Sequence, residues 1–349
     1  MKAVNGNTAF FITFVLYKIK FMKRVLFLVS LWGILLFVTA CSSLQPVSYE
    51  RLQPADVSFP TQIQKVGIVN NMPVVHQDYK KVDYISASLE GDGEVATESL
   101  AQEVVSVNYF DQVVMYEKKI RKSTYPLDQP ISKEMVDDLI RILDVDMLLA
   151  MERVNVELKE SIIFIPELYA TVPAVDGIVT SVVRAYLKQR EEPLFTVQKT
   201  DTLCWEITPK LTYGDVVKDV SNYAASMPIQ NLLPYWSEIE RFYFDGGNFE
   251  MRDAGVYVRE QNWEEASVLW KNIYDKKKGK AKMRAAYNLA VYSEMKDDFE
   301  YAKEYLATAC ALADEGSWEH QLILFYQLNL EEERKKNLRL NVQMKRFEP

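Results

Sequence analysis

The chain has 349 residues, 48% of them hydrophobic and 26% charged, the balance of an ordinary folded protein without wholesale disorder. Its formal net charge of −8 at pH 7 argues against a phosphate-backbone binder, which needs clustered Lys and Arg to displace counterions, so nucleic acid is not an expected partner. The length exceeds what one ordinary domain holds, and two domains are expected.

The first predicted element is an export segment. Lys23 and Arg24 precede an apolar run from Val25 to Phe37 that closes in Val38-Thr39-Ala40-Cys41, which is a positive n-region, an h-region and a small-residue cleavage site in order. The run is short for a transmembrane span of ~20 residues, which disfavours a plain membrane helix. Val38, Thr39, Ala40 and Cys41 resemble the bacterial lipobox. That resemblance implies a diacylglycerol on the Cys41 thiol and cleavage after Ala40, with residues 1–40 as the signal peptide. Each acyl methylene buried in a bilayer contributes ~0.8 kcal/mol, so several chains on one Cys anchor firmly. Met22 opens a well-formed signal by itself, so Met1 to Phe21 reads as lying upstream of the true start. Residues 41–60 begin Ser42-Ser43 and continue polar and Pro-bearing, the composition of a flexible lipidated tether. No acidic run follows Cys41, which favours the periplasmic face of the outer membrane.

Residues 61–210 read as an α/β domain. Val66-Gly67-Ile68-Val69 is a buried strand stopped at Asn70-Asn71-Met72-Pro73. After the turn Gly91-Asp92-Gly93, a helix carries Thr97, Leu100, Ala101, Val104 and Val105 on one face, and Phe110 to Tyr116 is a strand. A second helix starts from the N-cap Ser132, with Met135, Leu139, Ile140 and Leu143 inward, and Asp146 to Leu158 returns as a strand. Val179 to Gln189 and Leu194 to Ile207 form a hairpin around Arg190-Glu191-Glu192-Pro193. The apolar segment Ile162-Ile163-Phe164-Ile165-Pro166 has three open readings: a core strand, a membrane-facing loop or a subunit contact.

The succession Lys65 to Val69, helix, Phe110 to Val114, helix, Leu143 to Leu149 resembles the α/β envelope domain of curli-secretion lipoproteins, of lipoprotein activators of penicillin-binding proteins and of the TolB N-terminal domain. A pattern of elements implies a fold and no activity. The whole arrangement also resembles uncharacterised lipoproteins of Bacteroidetes that join such a domain to a tetratricopeptide tail.

Residues 211–250 read as a helical connector, docked by Trp236, Phe242, Tyr243 and Phe244. From 251 to 349 the expectation is an all-α, tetratricopeptide-like helical-repeat domain. Asn262-Trp263-Glu264-Glu265-Ala266 matches Asp298-Phe299-Glu300-Tyr301-Ala302 at an offset of 36 residues, and Ala254 matches Ala290 at the same offset. Small Ala254, Ala266, Ala290 and Ala302 suit the crossing of paired helices, and bulky Trp263 and Phe299 suit the turn between them. The usual unit has about 34 residues, and the basic loop Lys276 to Lys280 has room for the excess. Two units are legible where about three are needed for stability. A helix from Trp318 to Leu330, presenting Leu322, Phe325, Tyr326 and Leu330, suits a capping role.

No constellation specifies a reaction. His76 and His320 fall in different predicted domains, which gives no support to a two-His metal site or a His-assisted nucleophile. Gly91-Asp92-Gly93 lacks the further Gly and Lys of a phosphate loop, and the pairs Asp144/Asp146 and Asp137/Asp138 read as solvated acids. Cys204 and Cys310 read as buried free thiols, with a bridge between them as the alternative. No catalytic residue, cofactor or metal is therefore expected. Two functions remain: a non-catalytic interaction or scaffold lipoprotein of the cell envelope that binds a protein or peptide at the helical tail, or a subunit of a secretion or wall-synthesis assembly recognised through the α/β domain.

Overall fold

The computed structural model describes residues 43–74, 87–124 and 126–347 and divides into two compact units. An α/β sheet region is followed in sequence by an all-helical region, as the element pattern predicted. One unit holds Glu50–Ser237 and the segment from Lys335 onward. The other holds the described residues 43–49 together with Glu238–Arg334.

The sheet unit is built on β2 (Lys65–Asn70), β3 (Ala87–Glu90), β4 (Gln112–Met115), β5 (Met147–Ile165), β6 (Ala170–Leu187) and β7 (Phe195–Glu206). Their order is β4-β2-β5-β6-β7, with β3 also on β5; β2 runs parallel to β4 and β5, and β5, β6 and β7 form an antiparallel meander. The near-continuous apolar run in β5 has a direct cause, since both faces of the sheet are covered. Met147, Leu149 and Met151 meet α1 (Gly93–Val107) and α3 (Tyr213–Ser226) on one side, while Leu148 and Ala150 meet α2 (Lys133–Leu143) on the other. Gly67 leaves room for the Leu148 side chain where β2 passes β5, since a Cβ there would lie 2.8 Å from Leu148 Cδ2.

Helix starts follow the capping residues. Asp92 Oδ1 accepts from the Glu94 and Val95 amides at 2.9 and 3.3 Å, Ser132 Oγ accepts from Met135, and Thr212 with Asp215 forms a capping box ahead of α3. Two inward residues were misassigned by periodicity. Val105 and Met135 are exposed, and Val136 takes the inner position in α2.

Two connecting segments differ from expectation. Leu44–Gln53, read as tether, is strand β1, in which Val47, Tyr49, Arg51 and Gln53 alternate inward; polar Arg51 and Gln53 hid the period of two. The expected helical connector contains α3 and the short α4 (Ile229–Leu232), but Tyr235–Phe244 is strand β8, the ribbon partner of β1. Tyr243 and Phe244 are buried as docking residues, whereas Trp236 and Phe242 are exposed. The Gln343 side chain closes the sheet unit on a loop far away in sequence: its Oε1 accepts from Ala55 N at 3.0 Å and its Nε2 donates to the carbonyls of Ala55 and Val57 at 2.9 Å.

The helical unit consists of α5 (Phe249–Arg259), α6 (Trp263–Lys276), α7 (Gly279–Met295), α8 (Phe299–Leu312) and the first part of α9 (Trp318–Met344). Helices α5 and α6 form one hairpin and α7 and α8 a second. Each turns through a residue at positive φ, Gln261 at 58° and Asp297 at 60°, followed by an N-cap, Asn262 or Asp298. These positions repeat at the 36-residue offset seen in the sequence. The basic loop is shorter than expected: only Lys277 and Lys278 lie between α6 and α7, and Lys280 pairs with Glu319 at 2.5 Å. The last helix runs well past Leu330, and Phe325, expected inward, faces out. No helix among the described residues is long and apolar enough to cross a membrane.

Candidate functional site

The residues expected to pack the repeats come together in the helical unit. Ala254, Ala266, Ala290 and Ala302 are fully buried, Phe299 is buried, and Trp263 is half-buried with its ring centroid 6.3 Å from that of Trp270. Small residues at these crossings let the helix backbones approach, and the rings close the hairpin turns. Val38, Thr39, Ala40 and Cys41 lie outside the described residues, as does His76. Cys204 and Cys310 are both free; Cys204 is exposed rather than buried, because it takes the outward face of β7 between the inward Leu203 and Trp205, and Cys310 is only partly buried.

The paired acids have structural partners. Asp146 Oδ2 accepts from the Gln64 and Lys65 amides at 2.9 and 2.8 Å and so fixes the entry of β2, while Asp144 pairs with Lys65 at 2.9 Å. Asp137 accepts from Gln189 N at 2.8 Å, and Asp138 pairs with Arg141 at 2.6 Å.

Two polar clusters escaped sequence reasoning. The first lies in the sheet unit, where a register shift between Met151 and Arg153 places a bulge in β5 at Glu152. The Glu152 side chain is buried. It accepts from Tyr186 Oη and, at 2.6 Å, from Asn71 Nδ2, and Arg184 Nη1 stands 3.7 Å away, itself paired with Asp128 at 2.7 Å. Burial pushes the Glu152 carboxyl up to about 7, against the opposing pull of the Tyr186 and Asn71 hydrogen bonds and of the Arg184 charge. The cluster fastens the segment before α2. Asn71 Nδ2 also donates to Gln129 O at 2.9 Å, and Ile131 N donates to Tyr186 Oη at 3.2 Å. Beside it is a cavity of about 320 Å³ lined by Asn71, Arg121, Gln129 and Ser132 among others. A buried acid with a raised pKa beside a cavity has the form of a proton-exchanging group.

The second cluster locks the helical unit. Glu294, fully buried on α7, forms a bidentate ion pair with Arg241 at 2.8 and 2.6 Å and accepts from Tyr326 Oη at 2.6 Å. Asn288 on the same helix accepts from Phe244 N and donates to Phe244 O, both at 2.7 Å. A signal was present. Tyr287, Ala290, Val291 and Glu294 share one helical face, so a carboxylate at a core position implied a buried cation.

The apolar segment at Ile162 resolves against the core reading. Past Ala174, where pairing to β7 ends, β5 and β6 continue together as a ribbon to Ile165 and Ala170. Ile162, Phe164 and Tyr169 are exposed there, at 74, 54 and 91%, and Phe164 and Tyr169 stack edge to face at 6.2 Å. A contiguous exposed apolar tip is the form of a contact surface.

Two family descriptions match the chain: Domain of unknown function (DUF8603) over residues 63–244, ending with β8, and Domain of unknown function (DUF6340) over residues 252–332, within the helices. No curated protein matches. Among solved structures, a PelC dodecamer from Paraburkholderia phytofirmans is similar at 12% identity, covering 54% of this chain and 99% of that chain with a TM-score of 0.25.

Proposed function

The chain belongs to the family described as Domain of unknown function (DUF8603), and we propose that it works in the bacterial cell envelope as a lipid-anchored, non-catalytic interaction protein. In this reading Cys41 carries the lipid after cleavage at Ala40, and the anchor sits in the outer membrane facing the periplasm. The sheet unit is an envelope domain of the curli-secretion or TolB N-terminal type, as in Bacteroidetes lipoproteins with a tetratricopeptide tail. The helical unit is that tail, and it binds a protein or peptide.

The observation that carries this reading is the repetition of the two hairpins, turn by turn and cap by cap, with alanines at the helix crossings. Stacked hairpins of this kind present extended surfaces to partners. The experiment is site-specific photocrosslinking of the full chain in cells from exposed positions Val268 and Tyr301, with fatty-acid labelling of wild type and Cys41→Ala. The expected result is one reproducible protein adduct from the array and loss of label in the variant. No adduct from either position would overturn the interaction reading, and persistent label without Cys41 would overturn the anchor. A second reading places recognition in the sheet unit as part of a secretion or wall-synthesis assembly. The exposed ribbon tip at Ile162, Phe164 and Tyr169 favours it, and a crosslinker at Phe164 separates the two.

A further inference from the structure

The ribbon of β5 and β6 leaves one strand edge open. Pairing of β3 to β5 stops at Ala87 and Leu158, and among the described residues nothing is hydrogen-bonded to that side of β5 from Lys159 to Ile165. Two bonds fix which backbone groups point there. Val154 O accepts from Gly91 N at 2.7 Å on the β3 side, and Pro173, opposite Ile162 on β6, turns its carbonyl away from β5 to Ile207 N at 2.9 Å. Backbone groups alternate sides along a strand, so the amides and carbonyls of Glu160, Ile162 and Phe164 point out from the open edge. Such edges are ordinarily blunted by Pro, by Lys or by a bulge. Ser161-Ile162-Ile163-Phe164-Ile165 carries none of the three, and Ile162 and Phe164 are exposed.

We infer that this edge pairs antiparallel with the same edge of a second copy of the chain, about a two-fold axis at Ile163. Outward groups meet only where even-numbered positions face even-numbered ones, which limits the registers. Centred on Ile163, Ile162 of one copy falls opposite Phe164 of the other, and each such pair exchanges both backbone bonds. The side chains agree with this register, since a branched residue meets a ring on one face and Ile163 meets its own copy on the other. Next outward, Lys159 falls opposite Glu167. Both are exposed, no described residue pairs with either, and the two-fold makes the opposite-charge pair twice. Moving the centre to Ile162 sets Glu160 against Phe164, and moving it to Phe164 sets Ser161 against Glu167, so either shift loses the charge match. The strip also fits itself in length, because the partner's Glu167 comes level with Lys159 and stops short of the β3 pairing at Leu158.

The inference rests on strand pairing by the purified chain and stands apart from both functional readings. Sedimentation velocity of the full chain in detergent, from about 1 to about 100 µM, should show a reversible dimer. Phe164→Pro removes an amide that faces outward, so the β5–β6 ladder and the circular dichroism should be kept while the dimer weakens by more than about tenfold. In a Cys204→Ser/Cys310→Ala background, Ile163→Cys should form a covalent dimer on oxidation. Val172→Cys, opposite Ile163 but one strand further from the axis, should not, because its two copies lie beyond disulfide reach. A monomer throughout the range, a dimer indifferent to Phe164→Pro, or equal oxidation of both cysteine variants would overturn it. A Cys41→Ala chain that stays monomeric and floats with phosphatidylcholine vesicles would assign the edge to lipid instead.

Discussion

Glu294 and Glu152 are each buried at the centre of a polar cluster, one in each unit, and their surroundings are opposite. Glu294, in the helical unit, meets the Arg241 guanidinium face on and a tyrosine hydroxyl besides. Glu152, in the sheet unit, has hydrogen bonds from neutral Tyr186 and Asn71, while its nearest cation stands 3.7 Å off and is shared with Asp128. Burial costs a carboxylate its hydration in either place. A cation in hydrogen-bonding contact offsets that cost, whereas neutral donors offset it only in part and leave the proton as the cheaper counter-charge. The helical unit thus holds a fixed lock and the sheet unit an exchangeable one.

The largest expected effect tests the fixed lock. Glu294→Ala leaves Arg241 buried without its counter-charge and should cost ~3–5 kcal/mol in denaturant titrations followed by circular dichroism. A cost under about 1 kcal/mol, the range of an exposed pair, would break the comparison. The exchangeable lock is tested by pH. Glu152 titrates in the fold at about 7, above its ordinary 4.5, so the protonated carboxyl favours the folded form. Stability from this group is complete below about pH 4.5 and should fall by ~3 kcal/mol as pH rises through about 7. Glu152→Gln, neutral at every pH, should flatten that slope, and an unchanged slope would assign it to other groups. Third, Ala290→Leu forces bulk into a fully buried helix crossing and should cost ~1–3 kcal/mol; a thermal midpoint like wild type would mean the alanine crossings are not tightly packed. The smallest effect belongs to the ribbon tip, where Phe164→Ser should shift stability by less than ~0.5 kcal/mol, while removing any adduct made through that position.

What the sequence revealed follows the range of the interactions. Local signals were readable: Ser132 capping α2, the β6–β7 hairpin turn, and the 36-residue recurrence of Asn262-Trp263 in Asp298-Phe299. Each is decided within a few residues of itself. The ribbon of β1 and β8 escaped because its two strands meet across most of the chain, and neither carries an uninterrupted apolar alternation. Glu152 escaped for another reason. A one-residue bulge changes which face a side chain takes, and nothing in the surrounding Met151-Glu152-Arg153 announces it. Glu294 was legible in principle, as a charge on an apolar face. Only the tertiary structure could identify Arg241 as its partner.

The bonds from Gln343 to Ala55 and Val57 have a temporal meaning. Ala55 N and the Gln343 amide are 288 positions apart, so on a chain made from its N-terminus the loop after β1 keeps its backbone groups on water until Gln343 has been made. Contacts that close so large a loop form late and slowly. The sheet itself can be completed once Glu206 is made, whereas the loop after β1 is fastened only when Gln343 arrives.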